Sequence, residues 1–178
     1  MIKDNLANVE KRIQASCDRT GRNRGEVTLI AVSKTKPISS IDEAIDYGMT
    51  EFGENKVQEI MDKYDTVKTK VNWHMIGHLQ RNKVKYIVEK VCLIHSVDSY
   101  RLAEQINVDA KKKGVICNIL IEVNVANEET KFGMSTEEVL KLVSDISKLP
   151  NVRVKGLMTI APFVENPEEN RIHFRNLR

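Results

Sequence analysis

Aromatic side chains are scarce in this chain: Phe, Trp and Tyr make up 5% of its 178 residues, with a single tryptophan. So few rings offer little to stack bases on, which argues against a single-stranded nucleic-acid platform. Cysteine is sparse too. Cys17, Cys92 and Cys117 are odd in number and widely spaced, with neither a CxxC pair nor a histidine at metal-ligand spacing. That pattern indicates no disulfide framework and no zinc site, and Cys92 and Cys117, lying in apolar runs, read as small buried hydrophobes. No stretch approaches the roughly 20 apolar residues of a membrane span, and Lys3, Asp4 and Asn5 interrupt any signal-peptide core. These absences predict a reducing, cytoplasmic setting and no membrane partner. Nor does one sign of charge dominate. The net charge of +3 comes from intermixed acids and bases, and the densest basic clusters, Arg81 to Lys85 and Lys111 to Lys113, read as solvated helix faces. Attraction to nucleic acid is then modest, and no nucleic-acid partner is expected.

What is present is an alternation. With 41% hydrophobic residues the chain can bury one core, and residues 1–178 are read as a single domain. Leu6, Val9 and Ile13 form a helical stripe that the segment Gly21 to Gly25 ends. Strand-then-helix units follow: 27–32 then 41–47 with Ser39-Ser40 as cap, 51–53 then 56–64, 73–76 then 82–89, 91–95 then 100–112, 115–123 then 136–147, and 152–158 then a polar helix from about 166. Alternating short strands and helices imply a parallel sheet. Polar residues fall at nearly every strand's C-terminal end, as Ser33-Lys34, Glu54-Asn55, Gly77-His78, Asp98-Ser99, Asn124 and Thr159, and no glycine-rich dinucleotide fingerprint follows the first strand. That distribution favours an α/β barrel of the TIM type over an open doubly wound sheet. Such a barrel has eight strands and six are read here, so the sequence predicts about six β/α units after one leading helix, with the last two strands missing and the outer strand edges exposed.

Lys34 stands where an apolar strand ends and a proline turn begins, in Val32-Ser33-Lys34-Thr35-Lys36-Pro37. An amine held still and partly desolvated at a strand end has a free lone pair to attack a carbonyl. Lys34 is therefore a candidate Schiff-base lysine; the plain alternative is a solvated loop charge.

Five segments taken together, in order along the chain, carry a resemblance: 32–37, Phe52-Gly53-Glu54-Asn55-Lys56-Val57-Gln58-Glu59, 73–83 from Trp73 through His78 to Lys83, Ser96-Val97-Asp98-Ser99, and Gly156-Leu157-Met158-Thr159-Ile160. Over essentially its whole length the chain resembles the pyridoxal phosphate homeostasis proteins, single-domain relatives of the alanine racemase N-terminal barrel. The resemblance implies that Lys34 binds pyridoxal 5′-phosphate (PLP) covalently as a Schiff base. It also implies a carrier and regulator of vitamin B6 and amino-acid pools without established turnover, working as a monomer and serving PLP-accepting apo-enzymes. Relatives hold the phosphate with a serine- and glycine-rich loop after the seventh strand and an Arg-x-Gly-Thr segment near the eighth. Neither is present in the 178 residues, which implies a weakened grip on the cofactor.

Asn55 looks like the family's pocket residue, since an amide can hydrogen-bond a cofactor oxygen without adding charge; capping the helix from Lys56 is the alternative. Met158 is placed beside the pyridine ring, with plain core packing as its alternative. His78 opens a loop and is read as a pocket-edge hydrogen-bonding group, not a metal ligand, and His74 as a core or capping residue. His95 and His173 carry no signal, and Trp73 reads as packing. Glu122 and Asn124 share a strand face that would point into the barrel. Lys36 and Lys131 are spare amines for passing PLP on. The competing function is a PLP-dependent amino-acid racemase, which needs acid/base groups on both cofactor faces; racemases bring a tyrosine from a second domain, for which this chain has no residues.

Overall fold

The computed structural model of the chain describes residues 1–125 and 136–178. Six parallel strands lie side by side in chain order: β1 Ala31–Val32, β2 Glu51–Glu54, β3 Asn72–Met75, β4 Val91–Val97, β5 Cys117–Glu122 and β6 Val152–Met158. Among the described residues β1 and β6 do not pair with each other. The helices are α1 Ile2–Thr20, α2 Ile38–Asp46, α3 Val57–Tyr64, α4 Tyr100–Lys113, α5 Thr136–Ile146 and α6 Arg171–Leu177, with a 3-10 turn over Arg81–Tyr86 between β3 and β4. None of them is long and apolar enough to cross a membrane.

Alternation along each strand sorts the side chains. On β5, Cys117, Ile119 and Ile121 are buried while Asn118, Leu120 and Glu122 take the other face, as expected for Glu122. The outward faces meet the helices in two clusters. Phe52 and Trp73, with ring centroids 6.0 Å apart, pack under Ile41, Ala44 and the partly buried Ile2 and Leu6. Met75, Ile94, Ile119 and Ile121 pack under Leu102, Ala103 and Ile106 of α4 and Leu142 and Ile146 of α5. Each Leu, Ile, Met or Phe side chain among these that is removed from water contributes about 1.5–3 kcal/mol. The register shifts between β3 and β4, between β4 and β5, and between β5 and β6, and bulges of this kind add the twist and bend by which a parallel sheet curls.

Some predicted elements differ. The first strand is shorter than 27–32, because only the stretch from Ala31 to Ser33, whose N–H donates to Gly53 O at 3.0 Å, finds a partner on β2. The helix expected at 82–89 is the 3-10 turn, closed by Lys83 N to Gln80 O at 2.9 Å and Ile87 N to Val84 O at 3.0 Å. Ser39 and Ser40 lie inside α2, since its cap is Pro37, whose carbonyl already accepts from Ser40 N–H. By contrast Gly21 and Gly114 end α1 and α4 in the left-handed conformation at φ 65 and 68, where glycine has no Cβ to strain. The lysines of 111–113 sit in the last turn of α4, where they face its partial negative charge, and Lys112 and Lys113 pair with Asp109 and Glu89.

Candidate functional site

Lys34 follows β1 on a turn closed by Lys36 N–H to Ser33 O at 3.0 Å. Its two neighbours are tied down. Ser33 is buried and donates from Oγ to Glu54 Oε1 at 2.6 Å, and Thr35 N–H donates to Glu59 Oε2 at 2.7 Å. Lys63 of α3 joins the two carboxylates, donating to Glu54 Oε1 at 2.8 Å, Glu59 Oε2 at 3.1 Å and Ser33 O at 3.0 Å. Glu54 is fully buried and Lys63 only 8% exposed. Thr35 has φ 62, an uncommon conformation for a β-branched residue that costs roughly 1–3 kcal/mol. The bond to Glu59 holds it there. Ser33 is buried on the face that packs against α3, whereas Lys34 after it is exposed, unlike the partly desolvated amine expected from the sequence.

Glu59 is the acid-sensitive member of this cluster. The Thr35 N–H first, and Lys63 after it, hold its carboxyl below the usual value against an opposing effect of burial. A carboxylate with a depressed folded-state pKa adds stability that is full above the unfolded value near 4.3 and is lost as pH falls through the folded one. Melting temperatures taken from neutral pH down into that acid range are expected to fall, and Glu59→Gln to show a shallower fall than the parent. An identical slope in the two proteins counts against this assignment.

Asn55 and His78 line one cavity of about 300 Å³ with Lys56, Gln80 and Lys83. Asn55 does not cap α3, whose N-cap is Lys56 without a side-chain bond. His78 Nδ1 lies 3.7 Å from Asp98 Oδ2, at the ends of β3 and β4. Burial first, then the charge of Asp98, pushes the Glu122 carboxyl up. Met158 is the Cα partner of Glu122 across β5 and β6, which puts it on the same face of the sheet. Lys34 and Met158 are not among the residues lining the Asn55 and His78 cavity. Lys131 lies outside the described residues.

Gly77 sets the spacing between the β2 and β3 ends. A Cβ there would fall 2.5 Å from Asn55 O and 2.7 Å from Asn55 Cα, backbone that has no rotamer with which to yield. Ser96 Oγ donates to Gly77 O at 2.5 Å from the other side. Gly77→Ala is expected to lower unfolding free energy by about 1–3 kcal/mol in urea titrations, as small-to-large changes in packed sites do. It would also displace Asn55 from His78. A variant as stable as the parent would mean that this approach is loose.

The floor of the sheet, at the strands' N-terminal ends, holds a second polar cluster. His74, only 5% exposed, has Nε2 2.8 Å from Glu51 Oε2 and Nδ1 2.9 Å from His95 Nε2, and Cys92 Sγ lies 3.3 Å from His74 Nε2. Burial pushes the Cys92 thiol up to about 11 and Cys117 up to about 12, and it pushes His95 down to about 4, which leaves that ring neutral. His74 is thus buried as expected, but as part of a hydrogen-bonded group. Nothing in the sequence singled out His95, Lys63 or Glu59; the only local signal is the i, i+4 spacing of Glu59 and Lys63 on one helix face.

Comparison with known proteins agrees with this architecture. Residues 5–178 match the family described as alanine racemase, N-terminal domain. The chain is 47% identical over 176 residues to the pyridoxal phosphate homeostasis protein of Aquifex aeolicus, spanning 98% of this chain and 77% of that one. It is 41% identical over 163 residues to the protein of that name from Escherichia coli K12, spanning 89% and 70%. Among solved structures, PipY of Synechococcus elongatus with PLP bound superposes at a TM-score of 0.82 with 32% identity, covering 99% of this chain and 78% of that one. Identity of this level over nearly the whole chain, together with the shared parallel β/α fold, places the chain in the pyridoxal phosphate homeostasis family of alanine racemase N-terminal domains.

Proposed function

We propose that this chain binds pyridoxal 5′-phosphate reversibly through the Lys34 amine and serves vitamin B6 and amino-acid homeostasis as a carrier, without turning over a substrate. The observation that carries this reading is the turn bearing Lys34, pinned on both sides by Ser33 and Thr35 to the buried Glu54 and Lys63 and the half-buried Glu59 while the amine itself stays accessible. A carrier needs an amine that is fixed in place yet open to exchange.

When bound, PLP supplies an aldehyde that condenses reversibly with a primary amine and releases water. The residues present fit such a group. Lys56 and Lys83 beside Asn55 and His78 give a cationic, hydrogen-bonding cavity suited to an anionic small molecule, and Met158 shares the Glu122 face of the sheet. Lys36, on the same turn as Lys34, receives cofactor only by exchange from Lys34 on its way to apo-enzymes. The working unit on this reading is a monomer in a reducing cytoplasm, which suits the three free cysteines. PLP in the Synechococcus relative supports the cofactor assignment.

The test is borohydride reduction of the PLP-treated protein followed by peptide mapping. A label on Lys34 is the expected result; a label confined to Lys36 would overturn the assignment.

A further inference from the structure

Glu51, His74 and Cys92 lie on three adjacent strands and converge at the floor of the sheet, away from the strand ends that carry Lys34, Asn55 and His78. One ligand atom of each falls within 4.8 Å of the others. We infer that this trio is a binding site for a borderline-soft divalent cation of the zinc class, with Glu51 Oε2, His74 Nε2 and Cys92 Sγ as ligands and a fourth position left to water.

Four features of the geometry support it. First, the donor set is mixed oxygen, nitrogen and sulfur, which suits zinc and not magnesium or calcium. Second, the sheet is irregular at this spot. Trp73 pairs with Val91 and His74 with Leu93, so Cys92 is the extra residue of a bulge on β4, and its sulfur comes to rest 3.3 Å from His74 Nε2. Bulges re-aim a side chain where function requires it. Third, each ligand is held from behind. Glu51 Oε1 accepts from Asn72 Nδ2 at 2.6 Å and Thr50 Oγ1 at 3.2 Å, which leaves Oε2 for the site. His95 Nε2, 2.9 Å from His74 Nδ1, is the outer partner that a metal-bound imidazole needs, and Asn118 Nδ2 donates to Cys92 O at 3.2 Å. Fourth, Glu51 also lines an open cleft of about 450 Å³ with Glu10, Arg24 and Thr50, so one of the three ligands is reached from solvent.

The proton balance is simple. Binding releases the Cys92 thiol proton to solvent. Counted with one hydrogen on each ring, the hydrogen between His74 Nε2 and Glu51 Oε2 leaves to solvent as the cation takes Nε2, the hydrogen between the rings passes from His95 Nε2 to His74 Nδ1, and His95 takes one up from solvent at Nδ1, so the net release is the thiol proton. No electron transfer is involved. Because binding releases a proton, occupancy rises with pH.

The probe is cobalt(II) added to the purified chain without PLP, read by absorbance, with zinc added afterwards to displace it. The expected result is one equivalent bound, with visible bands of a tetrahedral site and a near-ultraviolet thiolate-to-metal band. Cys92→Ser, nearly isosteric, should lose the near-ultraviolet band, while Cys117→Ser should keep it. His95→Phe should weaken zinc binding by about 10–100-fold, the usual effect of losing an outer partner. Absence of the thiolate band in the parent, or its persistence in Cys92→Ser, would overturn the site, whatever the PLP experiments give.

Discussion

Lys34→Ala is expected to abolish the visible absorbance that PLP develops with the parent protein, and with it the borohydride-stable label, while leaving the fold intact. The two halves of that outcome have separate causes. Lys34 is exposed and makes no hydrogen bond or ion pair with the described residues, so its truncation should stay within about 0.5 kcal/mol of the parent, as surface changes do. The melting temperature should hardly move. Ser33 and Thr35 keep their bonds to Glu54 and Glu59 in the variant, so the turn and the Asn55 and His78 cavity remain and only the nucleophile is gone. No other amine takes its place on this account, since Lys36 lies two residues on, past the left-handed Thr35. An unchanged spectrum in Lys34→Ala, or a full equivalent of label on Lys36, would remove the central assignment.

Lys63→Met should have the largest effect on stability. The Lys63 ammonium contacts Glu54 Oε1, Glu59 Oε2 and the Ser33 carbonyl in a place where its side chain is only 10% exposed. Methionine matches its length and brings no charge. Glu54, fully buried and with Oε2 already lacking a hydrogen-bond partner among the described residues, would be left with an uncompensated carboxylate. Breaking a buried pair from one side costs about 3–5 kcal/mol, because the remaining charge stays out of water without its partner. At about 2–4 °C per kcal/mol for a chain of this size, the melting temperature should drop by roughly 6–20 °C.

Two further measurements separate charge from packing. Adding Glu54→Gln to Lys63→Met should recover part of the loss, because the stranded charge is removed while the shape is kept. The Lys34 turn should loosen with the cluster, since Thr35 keeps its φ of 62 only while Glu59 is held against it, so apparent PLP affinity should fall together with stability. A Lys63→Met protein that melts within a degree or two of the parent would show that the cluster is not what fixes the turn.

The order of the elements and the family were legible from residue patterns, because both are local properties of the chain. Short strand-like runs alternating with helical stripes are visible without coordinates, and Ser33-Lys34-Thr35-Lys36-Pro37 is contiguous. Asn55, directly after β2, and His78, three residues after β3, are picked out by position alone, because in a parallel β/α fold the residues that follow the strands open on one end of the sheet. Element ends were less legible. The extent of β1 depends on how far β2 runs beside it, and the turn at Arg81–Tyr86 tightens into 3-10 bonding that the same residues in another context would not adopt.

The alternation that makes a parallel sheet and the placing of one lysine at the end of its first strand are written in residue order. What surrounds that lysine and what lies beneath it come from the packing of strands and helices. Glu54, Glu59 and Lys63 meet Ser33 and Thr35 across β2 and α3, and Glu51, His74, Cys92 and His95 meet across three strands. Parallel pairing sets residues some twenty positions apart side by side, and a single bulge determines which of them face each other. Charge burial and hydrogen bonding follow from that pairing, so beyond the i, i+4 spacing of Glu59 and Lys63 no spacing along the chain reveals either cluster.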